Sequence, residues 1–362
     1  MKRTWGVSVY LGIKNIEQDI DYIKLAHKYG FTKIFTCFLG LTTENKAEYL
    51  LNLEKFMKVA VQLNYKVYID VNPTIFKILD IEFNQLEIFE YLNMSGIRLD
   101  EGFSGLEESI MSHNPKLELF INASTGTKYL DNILSYEPNK YNIIGCHNFY
   151  PRRYSGLSSS HFIATTQYFK SHNIRVGAFV NSQNKNTFSN QSMMEGLPTL
   201  EAHRDIPIVN QVKELFLIYD IDDIIIGNSY ASEEELRQIY ELNKYTLNLK
   251  IDLIPELDSF YNEMLFDNLH FNRGDVSEYM IRSTMLRIKY KHFDIKPLNV
   301  KNIEVGDITI DNNDYKKYKG ELHIAIKSMK NDGNVNVIGK VNKLDIPLLK
   351  AIKPWTKFVF VK

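Results

Sequence analysis

Two cysteines and two tryptophans are all that 362 residues hold of either type. Cys37 and Cys146 both lie inside apolar, strand-like runs, so there is no disulfide framework to read. The thiols count as small core hydrophobes, which fits a reducing compartment and hence the cytoplasm. Charge of one sign is equally scarce. Lys and Arg total 43 against 44 Asp and Glu, a formal net charge of −1, so no strong field attracts a polyanion and nucleic acid is not an expected partner. No apolar run approaches the length that crosses a bilayer. The start, Met1 to Ile13, is charged and then apolar, but Lys14 stops it and an amphipathic helix follows without a small-residue cleavage site, so it reads as structure rather than as a leader. There is no His-x-His or His-Glu-x-x-His spacing, no Gly-x-Gly-x-x-Gly and no phosphate-binding glycine loop. Neither a metal nor a cofactor is therefore expected.

What is present is alternation. Eight β-type runs, Val7–Leu11, Lys33–Phe38, Lys66–Val71, Ile97–Asp100, Leu117–Asn122, Ile143–Asn148, Val176–Asn181 and Ile224–Asn228, are separated by helical stretches. Ile16, Ile20, Ile23 and Leu25 form one helical stripe that stops at Gly30, and Thr43 is placed to cap a second helix carrying Leu50, Leu53, Phe56 and Met57. Parallel strands need such crossovers, and eight units point to a closed (β/α)8 TIM barrel. After about Thr246 the helices thin out and strand-like runs follow one another, at 248–253, 305–310, 322–326, 334–338 and 358–361, with Asn331–Asn334 reading as a hairpin turn. The fold class is thus α/β: a barrel over 1–245, then a smaller, mostly antiparallel β domain over 246–362.

Alternation along a strand also sorts side chains by face. It sends Asp70, Arg98, Asp100, Asn122, Asn148 and Asn181 inward at the C-terminal ends of their strands, the rim where barrels of this kind do chemistry. Two loops rise from the same rim. The first, His147 to Ser158, carries Tyr150, Arg152 and Arg153; paired guanidiniums suit phosphate or carboxylate, and an exposed turn meeting only water is the equal alternative. The second, from Ser182 to about His203, is long and too apolar in its second half for disorder, so it should fold over the mouth and bring Glu201, His203 and Arg204 with it. The alternative is that Glu201 and Arg204 cap or brace the next helix as an exposed ion pair.

Carboxylates at Asp70, Asp100 and Glu201 among arginines and amides suit glycosidic chemistry, in which one carboxyl group protonates the leaving oxygen and another attacks or steadies the sugar cation. Arg98 on the same face should keep Asp100 ionised, which favours it as nucleophile and leaves Asp70 or Glu201 as acid. Each, taken singly, reads as readily as a structural carboxylate. Lysines Lys33 and Lys66 stand at strand beginnings, which counts against a Schiff base. In the second domain Arg273, Asp275 and Arg282 read as a solvated edge or as a cover for the barrel mouth.

On these residues the chain resembles the 6-phospho-N-acetylmuramidases, the MupG-like glycoside hydrolases. The likeness rests on Trp5-Gly6-Val7-Ser8-Val9-Tyr10-Leu11, Arg98-Leu99-Asp100 with Gly102-Phe103, Asn148-Phe149-Tyr150-Pro151-Arg152 with Gly156-Leu157-Ser158, Glu195 to Arg204, and Arg273-Gly274-Asp275 with Ile281-Arg282. It implies a cyclophilin-like second domain and a retaining, cytoplasmic hydrolase that releases N-acetylmuramic acid 6-phosphate from a phosphorylated disaccharide. The expected partner is that small phosphorylated amino sugar, with no nucleic acid and no membrane; a homodimer is left open. Arg152, Arg153, Arg204 and Arg282 are on offer to its 6-phosphate and lactyl carboxylate. A barrel lyase or isomerase acting on a sugar phosphate, and a non-catalytic carbohydrate-binding protein, are the alternatives.

Overall fold

Short runs rich in Ile, Val and Phe, each buried along its whole length or nearly so, become strands because both of their faces are covered. The computed structural model describes residues 2–38, 41–255 and 257–362. It divides into two units, Met1–Leu242 and Asn243–Lys362. In the first, β1 (Thr4–Ser8), β2 (Lys33–Cys37), β3 (Lys66–Val71), β4 (Gly96–Leu99), β5 (Glu118–Asn122), β6 (Ile143–Cys146), β7 (Arg175–Val180) and β8 (Asp223–Ile226) form a closed barrel. All eight pairings are parallel, and β1 meets β8 to complete the ring. The eight expected runs are these strands. The first begins at Thr4 rather than Val7, because its pairing with β8 starts there. The second helix begins at Lys46, beyond the expected cap at Thr43.

The inward faces stack as layers. At the N-terminal end of the strands lies an ionic plug: Asp223, with no exposed side-chain surface, is met by Lys33 Nζ at 2.9 Å and Arg175 Nη2 at 2.6 Å, and accepts from the Thr4 hydroxyl. Above it Phe35, Tyr68, Phe120, Ile144, Phe179 and Ile225 fill the barrel. The outward faces pack on helices through Val7, Ile34, Val67, Ile69, Ile97 and their neighbours. No helix among the described residues is long and apolar enough to cross a membrane.

The second unit is a seven-stranded sheet: β9 (Leu247–Leu253), β10 (His270–Phe271), β11 (Met280–Ser283), β12 (Asp307–Asp311), β13 (Leu322–Ala325), β14 (Val335–Val341) and β15 (Lys357–Val361), in the order β10-β15-β9-β14-β12-β13-β11. Its pairings are antiparallel except that between β15 and β9. The turn at Asn331–Asn334 does not close a hairpin as expected, since β12 lies between β13 and β14 and pairs with both. β10 and β11 lie outside the five expected runs; they are only two and four residues long.

Removing one partner of a buried ion pair costs more than the pair contributes, because the survivor stays desolvated. Asp223→Ala should therefore destabilise the barrel by about 3–5 kcal/mol, read from the denaturant midpoint. Lys33→Met should cost much less, because Asp223 keeps Arg175 and Thr4.

Candidate active site

Strand register places Asp70 directly beside Arg98 on the neighbouring strand, and the shared parity turns both side chains into the barrel. Arg98 is buried and donates from Nη1 to Asp70 Oδ1 at 2.5 Å and to Asp100 Oδ1 at 3.2 Å. Its Nη2 donates to Asn148 Oδ1 from the end of β6. One guanidinium thus links the ends of three strands. The two carboxylates it holds are unlike. The Asp70 side chain is 7% exposed and that of Asp100 46%. Burial pushes the Asp70 carboxyl up to about 6, against the pull of Arg98 and with the help of the nearby Asp100 charge. Arg98 does stand beside Asp100, but its closer bond goes to Asp70, because Asp100 follows the last residue of β4.

The amides on the following strands continue the rim. Asn122 Oδ1 accepts from Ser124 N at 2.8 Å, and Ser124 Oγ accepts from Asn148 N at 2.8 Å. Tyr150 stands half-buried close by; burial raises its phenol, while Ser124 and Arg98 act the other way. His147 lies fully buried beneath, bonded to Ser124 Oγ and Thr166 Oγ1, and burial drives its imidazole down to about 3. It is a packed neutral ring. Tyr10 and Ser124 were missed in the sequence. Tyr10, at the end of the β1 segment, donates to Gly227 O at 2.5 Å and packs with Cys37 and Leu197, and the parity of Gly6 and Ser8 would have found it.

The two rim loops are clasped to each other. Tyr150 N bonds Pro198 O, Leu157 N bonds Thr199 O, and Glu201 N bonds Leu157 O. At the centre is Arg204, buried, whose Nε and Nη2 hold Glu201 at 2.7 Å each while Nη1 and Nη2 donate to the carbonyls of Tyr150, Arg152, Glu195 and Gly196. Glu201 also accepts from Tyr154 N and Gly156 N, both at 2.8 Å. The Arg204 bonds, with these two amides, hold its carboxyl down at about 2. Gly156 is needed here because a Cβ would fall 2.7 Å from Glu201 N and Oε2; Gly196, at φ +97°, makes the turn that lets Asn181 Oδ1 accept from Leu197 N.

The expected residues therefore separate. Asp70, Arg98, Asp100, Asn148, Asn122 and Tyr150 gather at the mouth through the contacts above. Glu201 and Arg204 are spent on the clasp, so neither is free to act as acid or anion receptor. Asn181 joins the same clasp, bonding Arg204 O and Leu197 N. His203 is buried against Glu214 at 3.0 Å, behind the loop, and Arg153 makes a bidentate pair with Asp205 at 2.5 and 3.0 Å. Arg282 lies on β11 of the second unit, where Glu321 takes its Nε and Nη2. Arg152 differs from all of these. It is exposed on the loop after β6, and its guanidinium has no hydrogen-bond partner among the described residues. No group of three or more potential metal-ligating side chains occurs among the described residues.

Comparison with known proteins bears on what this mouth does. A family model described as 6-phospho-N-acetylmuramidase, N-terminal, matches residues 5–241, and one described as 6-phospho-N-acetylmuramidase, C-terminal, matches residues 247–361. Among solved structures, that of an uncharacterized B. cereus protein is 39% identical with a TM-score of 0.93, each chain covered in full. A conserved protein of unknown function from a locus in Enterococcus faecalis is 26% identical with a TM-score of 0.72, covering 99% of this chain and 96% of its own. No curated protein matches.

Two measurements check this geometry. An unfolded Asp titrates near 3.9, so between about pH 4 and 6 the folded chain keeps a proton on Asp70 that the unfolded chain has lost, and this group's contribution to stability falls as pH rises through that window. Carboxyl-carbon NMR should give Asp70 a midpoint near 6, and Arg98→Met should move it higher because the opposing charge is gone. Arg204→Lys loses the fork that joins Glu201 to four carbonyls; it should lower stability by about 2–4 kcal/mol and open the 150–156 loop to limited proteolysis.

Proposed function

Since the chain belongs to the 6-phospho-N-acetylmuramidase family of glycoside hydrolases, we propose that it cleaves a 6-phosphorylated N-acetylmuramyl disaccharide. The products are N-acetylmuramic acid 6-phosphate and N-acetylglucosamine, and the setting is cytoplasmic recycling of cell-wall sugars. The observation that carries this is the pair of carboxylates in unlike environments on one guanidinium. Asp70, buried and raised to about 6, is the acid; Asp100, half-exposed beside Arg98, is the nucleophile. Asp100 attacks the anomeric carbon as Asp70 gives its proton to the departing glycosidic oxygen, leaving a glycosyl ester on Asp100. Water then attacks the anomeric carbon, Asp70 takes its proton, and Asp100 is released.

The spacing agrees with that two-step course. Both oxygens reach one nitrogen, at 2.5 and 3.2 Å, so they stand less than about 6 Å apart. Retaining enzymes separate their carboxyl groups by about 5 to 5.5 Å and inverting ones by about 6.5 to 9.5 Å, to admit a water. The exposed and unpaired guanidinium of Arg152 receives one of the two substrate anions at the rim.

Incubation with phosphorylated and unphosphorylated disaccharide should give turnover of the former alone; equal turnover would remove the phosphate from the argument. Asp70→Asn and Asp100→Asn should each lower kcat by about 10³-fold, and NMR of the fresh product should show the substrate's anomeric configuration. An inverted product would rule out Asp100 as nucleophile. Because Asp70 must be protonated in the first step, kcat/KM should fall as pH rises above about 6. Arg152→Ala should raise KM by about ten-fold with a smaller change in kcat.

A further inference from the structure

In the second unit three arginines from separate segments converge on one carboxylate. Glu321 has 0% side-chain exposure; Arg282 reaches its Oε1 from Nε at 2.9 Å and Nη2 at 2.8 Å, and Arg287 Nη1 reaches Oε2 at 2.9 Å. Arg273 Nη1 stands 3.9 Å away and its Nε bonds Asp275. The three arginines line a cavity of about 410 Å³ together with Asp275, Lys317 and Tyr318. Four cations thus line this cavity with Asp275, the arginines among them hold Glu321 behind it, and Asp311 lies close enough to act on Arg282 and Arg287; several guanidinium N–H groups are still unused. A phosphate presents several acceptor oxygens at once, in the geometry that guanidinium forks fit.

A second cavity, also about 410 Å³, shares Arg282 and Tyr318 with the first and is lined by Asp311, His323 and Thr309. Asp311 is 4% exposed, yet its carboxylate has no hydrogen-bond partner among the described residues. His323 stands 3.8 Å from it and 3.8 Å from Glu321, beyond hydrogen-bond reach of either. The Asp311 carboxylate and the His323 imidazole thus border an open volume with hydrogen-bonding capacity to spare, which a ligand that brings hydroxyl groups would use.

We propose that the second unit binds a phosphate monoester of a polyhydroxylated molecule, its phosphate among Arg273, Arg287 and Lys317 and its hydroxyls on Asp311 and His323. Nothing in this cluster depends on what the barrel hydrolyses. Calorimetric titration of the full chain with inorganic phosphate and with glucose 6-phosphate tests it. Both should bind, the sugar phosphate about ten-fold tighter. Arg287→Ala, which leaves Glu321 to Arg282 and Thr284, and Lys317→Ala, at an exposed position, should each weaken both probes about ten-fold. Asp311→Asn should weaken the sugar phosphate alone. Absence of binding, or affinities unmoved by Arg287→Ala and Lys317→Ala, overturns the site. A sugar phosphate no tighter than phosphate, or indifferent to Asp311→Asn, overturns the hydroxyl half.

Discussion

The barrel mouth depends on keeping a positive charge where water scarcely reaches. Arg98 is buried on β4, and a guanidinium there is tolerable only if its surroundings answer it with acceptors. Asp70 from β3, Asp100 just beyond β4 and Asn148 beyond β6 supply them. Those acceptors come from segments far apart in sequence, so the ring must be closed and in register before the charge is satisfied. The same bond that secures the fold leaves one carboxyl group buried and its neighbour wet, the asymmetry that acid and nucleophile require.

The loops above the mouth are held by a second guanidinium with a different task. Arg204 spends its donors on Glu201 and on four backbone carbonyls. It thereby converts two long βα connections into one layer with Leu197 and Leu200 buried beneath. Tyr150 and Arg152 ride on that layer. Their placement at the rim follows from a clasp whose own residues have no groups left over for substrate.

Much of this was legible from residue order, for a simple reason. Period-2 alternation needs no knowledge of neighbours, so the inward positions at Asp70, Arg98, Asp100, Asn122 and Asn148 could be read from each strand alone. What parity cannot report is which partner a charged group chooses. Glu201 and Arg204 stand three residues apart and looked like site residues or like a brace; the choice was made by the amides of Tyr154 and Gly156, which lie more than forty positions earlier. In the second unit the order of strands was hidden because β12 inserts between β13 and β14, and no local turn signal encodes such an insertion.

The ionic plug of Lys33, Asp223 and Arg175, with the aromatic layer above it, seals the opposite end of the barrel. Everything that enters or leaves must therefore use a single doorway. Whatever is bound there leaves by the way it came, so one molecule has to clear the entrance before the next can settle.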